Sequence, residues 1–197
     1  RGWLWHENPP HPAPKKQPPP TEGKTTGEIP TEDHIVFTKL NEARMHRLDK
    51  TLQVTDETIS FLETLNSEYI WLVIAESWCG DAAQILPIIN KMAEVSDKIN
   101  LRVVLRDDNE DLMNLFLTNG TKSIPKLIII DKKTNEVIND FGPRPKEAKQ
   151  LILDYKNKDP EPLFIPWPEY LKPIFNLGCP FVSNEGSLYQ ICKDNSQ

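Results

Sequence analysis

Cysteine is scarce in this chain, with three residues in 197, at positions 79, 179 and 192. An odd count leaves at least one thiol outside any internal pairing. Cys179 and Cys192 could bridge to each other or both stay reduced, and no disulfide framework spans the centre, so a cytoplasmic setting is expected. Positive charge is also short. With 23 Lys and Arg against 29 Asp and Glu, the net charge is −6 and the pI about 5.3, which argues against nucleic acid or an anionic membrane as partner. Long apolar runs are missing, for "IWLVIA" and "LIII" fall far below the roughly 18 residues of a membrane span. The four histidines, at positions 6, 11, 34 and 46, lack metal-ligand spacing and lie far in sequence from Cys79. No metal site and no Cys–His nucleophile pair is indicated. Gly23-Lys24-Thr25 ends like a phosphate loop, but it lacks the upstream glycine and no strand precedes it.

Proline, by contrast, is plentiful and unevenly placed. Seven of the 18 fall in the first twenty residues, where fixed φ and missing N–H groups exclude helix and sheet interior. Residues 1–30 therefore read as a proline-rich arm, and the start at Arg1 without an apolar signal core suits a processed or trimmed N-terminus. A second cluster opens residues 159–197, a C-terminal extension. There Phe164, Trp167, Phe175 and Phe181 would form a costly exposed patch, so the segment is expected to wrap the domain or meet a partner.

Between these tails, residues 31–158 form one domain. "HIVFTKLNEARMHRLDKTL" predicts an amphipathic helix with Val36, Leu40, Ala43 and Leu48 on its apolar face. Thr55 caps a second helix, with Asp56 and Glu57 in its first turn. Strands are predicted over 70–75, over 99–105 and from Lys126, with "EVINDF" returning as a hairpin partner. Helices fill Gly80–Val95, Asp111–Thr118 and Lys146–Tyr155, the last entered through Pro145. A βαβ unit followed by a hairpin and closing helix makes this an α/β chain with a mixed central sheet and helices on both faces.

The first strand runs into "WCGDA", Trp78 to Ala82, where a helix starts at once. That junction, Pro87 inside the helix and "SIPKLIIID" opening the third strand together resemble the thioredoxin family, over roughly Leu52 to Lys156. The resemblance implies a thioredoxin-like fold in which Pro125 is the cis-proline, placing the backbone of Ile124 and Pro125 beside the thiol. "WCGDAAQ", "EGKTTG" and "GPRP" look like a thioredoxin-like subfamily of bacteria. One departure matters most. A dithiol member attacks with its first cysteine and resolves with its second, and here Ala82 stands in the second place. The family's buried aspartate on the preceding strand is also missing, which leaves Glu76 as the nearest carboxylate.

Cys79 is thus the expected catalytic thiol, with Trp78, Gly80, Asp81, Ile124, Pro125 and Arg144 around substrate and Glu76 and Arg106 in support. A helix N-terminus favours an anion by about 0.3–1 kcal/mol. A carboxylate on Asp81 at about 6 Å would oppose it by roughly 2–3 kcal/mol at an effective dielectric near 20. A cation then decides the balance, and Arg144 in "FGPRP" or Arg106 after the "LRVVL" strand could supply it. Two functions follow. One is a monothiol thiol–disulfide oxidoreductase acting on protein or low-molecular-weight disulfides, without a bound cofactor and with an external thiol such as glutathione releasing the mixed disulfide. The other is a non-catalytic module docking an extended peptide at the Trp78/Pro125 surface.

Overall fold

The computed structural model describes residues 25–27, 31–145, 148–150 and 153–154. The elements run α1 (Glu32–Thr51), α2 (Asp56–Glu63), β1 (Tyr69–Ala75), α3 (Gly80–Ala93), β2 (Ile99–Leu105), α4 (Glu110–Leu115), β3 (Lys126–Asp131) and β4 (Val137–Phe141). The chain divides into two compact units, one ending each of its segments at Gln53 and Pro143, the other formed by Val54–Asn66 and the chain from Arg144 onward.

In the first unit four strands form a mixed sheet in the order β2-β1-β3-β4. β1 pairs parallel with β2, in register Tyr69 to Ile99, and antiparallel with β3, in register Tyr69 to Asp131. β1 is therefore flanked on both edges, and its near-continuous apolar run follows from that: Trp71, Val73, Ile74 and Ala75 are buried. In β3 Leu127, Ile128 and Ile129 are buried on alternating faces of the sheet. Asp131 caps the return to β4, its carboxylate accepting from the N–H groups of Lys133 and Thr134, while Asn135 takes the left-handed φ of 58° that the turn needs.

Helix α1 packs against α3, and α3 against β2. Thr31 caps α1 by accepting from the His34 N–H at 3.2 Å, with Glu32 and Asp33 in the first turn. The inward face of α1 differs from the apolar face predicted for it. Thr38, Asn41, Met45 and Leu48 face inward, while Val36, Leu40 and Ala43 face outward. The cause is polar: Thr38 and Asn41 have hydrogen-bond partners on the loop that precedes α3, and those partners, rather than hydrophobicity, set the rotation of the helix. α3 ends at Ala93 and α4 spans Glu110–Leu115, each slightly short of the sequence expectation.

In the second unit α2 is capped by Thr55, which accepts from the Thr58 N–H at 3.3 Å. The closing helix expected after Pro145 is present where it is described, at 148–150 and 153–154. The proline-rich arm up to residue 24 and the extension over 159–197, with Cys179 and Cys192, lie outside the described residues. Among the described residues no helix is long and apolar enough to cross a membrane, and no cluster of metal-ligating side chains occurs.

Candidate functional site

Cys79 ends the loop between β1 and α3 and is itself the N-cap of α3. Its sulfur accepts from the Ala82 N–H at 3.4 Å, while its carbonyl accepts the helix's first bond from Ala83 at 3.1 Å. A cap must reach back over the first turn, so the helix itself fixes where the thiol points. Sγ also lies 3.5 Å from the Ile124 carbonyl, as donor to it. The thiol thus faces an N–H that favours its anion and a carbonyl that favours its protonated form. Cys79 is 8 % exposed.

The Ile124 carbonyl comes from a cis Ile124–Pro125 peptide. A second cis bond, Gly142–Pro143, lies at the end of β4. Gly142 has φ +125°, and a Cβ there would stand 2.2 Å from the Pro125 carbonyl oxygen. Only a residue without a side chain allows that approach. The lysine that follows Pro125 is buried as well, and Lys126 Nζ pairs with Asp140 at 2.6 Å.

Trp78 forms a stack beside the thiol. The His34 ring lies 4.7 Å away and nearly parallel, at 10°, and the Arg106 guanidinium sits 5.0 Å from the Trp78 ring centroid. Arg106 also pairs with Asp107 at 2.7 Å. Parallel pairing of β1 and β2 brings Arg106 to this end of the sheet, where its backbone N–H donates to the Ala75 carbonyl. Its guanidinium is engaged with Trp78 and Asp107.

Glu76 is buried and held from two sides. One carboxylate oxygen accepts from the Asp107 N–H at 2.9 Å, the other from the Thr26 hydroxyl. Burial pushes its carboxyl above the ordinary glutamate range, with the hydrogen bonds from Thr26 and Asp107 pulling the other way. The next residue, Ser77, is the centre of a hydroxyl cluster. Its Oγ accepts from the Thr26 N–H at 3.1 Å and lies 3.0 Å from Thr38 Oγ1, while its own N–H donates to Thr26 Oγ1 at 2.9 Å. Asn41 closes the arrangement by donating to the Ser77 carbonyl at 2.9 Å. Gly27 follows Thr26 with φ +108°, and a Cβ there would meet Asp107 Oδ2 at 3.0 Å and Trp78 Nε1 at 3.3 Å.

The structure therefore brings together Glu76, Trp78, Cys79, Ile124 and Pro125, with Arg106 against Trp78. Gly80 opens α3 and Asp81 is half-buried in its first turn. Arg144 is exposed and belongs to the second unit. Sequence reasoning missed Thr26, His34, Thr38, Asn41 and Gly142. A signal for Thr26 was present in "EGKTTG", masked by its place beside the proline-rich arm. His34, Thr38 and Asn41 gave a weaker one, recurring at three- and four-residue spacing on one helix face.

Compared with known proteins, a family model described as "Thioredoxin" matches residues 30–158. A structure of a protein of unknown function from Pseudomonas aeruginosa is similar, with a TM-score of 0.51 and 20 % identity, over 62 % of this chain and 80 % of that one. An HIV epitope-scaffold aligns with a TM-score of 0.53 and 16 % identity, over 81 % and 86 %. The comparison with curated proteins found no match.

Proposed function

This chain belongs to the thioredoxin family, and from that premise we propose that it is a monothiol thiol–disulfide oxidoreductase. The Cys79 thiolate attacks one sulfur of a protein or low-molecular-weight disulfide, forming a mixed disulfide and expelling the other sulfur as a thiolate. A second, external thiol such as glutathione then attacks the mixed disulfide. Cys79 leaves as a thiolate, the external thiol is left in a disulfide with the sulfur that Cys79 had held, and a second equivalent of that thiol completes the two-electron reduction of the substrate. The observation that carries this reading is the cap geometry: Cys79 Sγ receives the Ala82 N–H at the start of α3, beside the cis-Pro125 loop. Ala82 offers no resolving thiol, so the intermediate persists until an outside thiol arrives. Asp81 belongs to this reading as a contact to substrate, as do a bacterial origin and a cytoplasmic location.

Binding of an extended peptide at the Trp78/Pro125 surface without chemistry is the second reading, and the low exposure of Cys79 favours it. One experiment separates the two. The intact chain is incubated with oxidised glutathione over a pH series, and adducts are located by peptide mass spectrometry, with Cys179 and Cys192 as internal comparison. The redox reading expects an adduct at Cys79 at neutral pH, reversed by reduced glutathione and lost in Cys79→Ser. Modification of Cys179 and Cys192 alone would leave the binding module as the account.

A further inference from the structure

The outward face of α1 carries apolar side chains: Val36 is 64 % exposed, Phe37 49 % and Leu40 43 %. These positions, with the exposed Asp33 and Arg47, fall within about 100° of one another at 3.6 residues per turn. The face is distinct from the side of α1 that holds Thr38 and Asn41 against Ser77. Its order along the helix is acid, apolar, base, with the half-buried Arg44 on the same arc donating back to Asn41 at 2.9 Å. Asp33 and Arg47 stand seven residues before and after Leu40.

We propose that this face is a homodimer interface, in which two copies of α1 pack antiparallel about a twofold axis at Leu40. A twofold contact must be complementary to itself, and this one is. Asp33 of each copy meets Arg47 of the other, Leu40 meets Leu40, Phe37 meets the exposed Ala43, and Val36 meets the aliphatic stem of the half-buried Arg44. A parallel arrangement would set Asp33 against Asp33 and Arg47 against Arg47. A face carrying both signs in that symmetric order selects a second copy over a partner of one charge or an anionic membrane. A helix face about 30 Å long and about 10 Å wide is small beside the ~800 Å² per partner of a standard interface. The dimer is therefore concentration-dependent, with a Kd in the micromolar range or weaker.

Sedimentation velocity of the intact chain across a protein concentration series tests this, with circular dichroism confirming the fold of each variant. The wild type is expected to shift from monomer to dimer, and Leu40→Glu to weaken the dimer by at least about tenfold. Asp33→Lys should weaken it, and the double reversal Asp33→Lys with Arg47→Glu should restore it. Alkylation of Cys79 in Leu40→Glu should match wild type, since the opposite side of the helix supports the site. A wild type that stays monomeric throughout overturns the proposal. So does a Leu40→Glu variant that dimerises as well as wild type, or a double reversal no better than the single, which would assign the face to another occupant or another arrangement.

Discussion

The carbonyl oxygen of Pro125 occupies the space that a side chain on Gly142 would need, 2.2 Å from an ideal Cβ. β3 and β4 are paired antiparallel up to Leu127 and Phe141, so one step beyond that register Gly142 faces the peptide that joins Pro125 to Lys126. The Ile124 carbonyl next to Pro125 is the one that Cys79 Sγ contacts. The geometry at the thiol therefore depends on a missing side chain on the neighbouring strand.

Replacing Gly142 by alanine tests that dependence. The left-handed φ strains any side chain and the contact forces the Pro125 loop outward, so a loss of about 3 kcal/mol or more is expected in denaturant unfolding. Moving the Ile124 carbonyl off the sulfur should also change the alkylation rate of Cys79 under conditions where the variant remains folded. An unchanged rate would show that the loop does not set the reactivity of the thiol.

Thr26 invites a second substitution. Its hydroxyl donates to Glu76 and accepts from the Ser77 N–H, so Thr26→Val keeps the shape and removes both bonds. Two buried polar groups lose partners, and about 1–3 kcal/mol is the expected loss for each unsatisfied group. Equal stability of variant and wild type would mean that residues 25–27 do not hold this position in solution.

Glu76 gives a pH dependence with a definite sign. Its folded-state carboxyl is raised, chiefly by burial. A raised group contributes its stability fully below the unfolded value, about 4.3 for glutamate. That contribution is lost as pH rises through the folded-state value, because the protein must then hold a buried carboxylate. Glu76→Gln does not titrate. The melting temperature of the variant minus that of wild type is thus expected to increase as pH rises from below 4 towards neutrality. A decrease over that range would show that the bonds from Thr26 and Asp107 outweigh burial.

Much of this arrangement was legible in residue types. The unbroken apolar run of β1 announced a central strand, Trp78-Cys79 at its end announced the loop into α3, and Ile124-Pro125 before "KLIIID" announced the facing loop. What the sequence hid was polar and long-range. Val36, Leu40 and Ala43 give α1 an apparent apolar face, yet hydrogen bonds from Thr38 and Asn41 to Ser77 turn the helix the other way. Periodicity counts side chains by hydrophobicity and is blind to a hydroxyl that finds its partner 39 residues away. Thr26 was hidden for the same reason, since proline-rich surroundings masked a segment held by side-chain bonds. Arg106 was the second candidate, after Arg144, for a cation serving the thiol, and its contacts to Trp78 and Asp107 had no signal in the sequence.

Ala82 is where the proposed chemistry can be altered by design. It lies three residues after Cys79, fully buried, and its N–H already contacts the sulfur. In the first turn of a helix, residues three apart bring their Cβ atoms about 5–6 Å apart, near the range from which a disulfide closes with small adjustment. Ala82→Cys adds one buried sulfur, at an expected cost of about 1–3 kcal/mol if the site is tightly packed. In return it supplies the missing resolving thiol. The glutathione adduct that accumulates at Cys79 in wild type should then collapse, as the introduced thiol attacks Cys79 Sγ, expels glutathione as thiolate and leaves an internal disulfide. Time-resolved intact mass spectrometry would show the adduct rise and fall in the variant, and persist in wild type until reduced glutathione is added. An adduct that persists equally in both would mean that the helix N-terminus does not present position 82 to the sulfur, and the thioredoxin-like use of this turn would have to be abandoned.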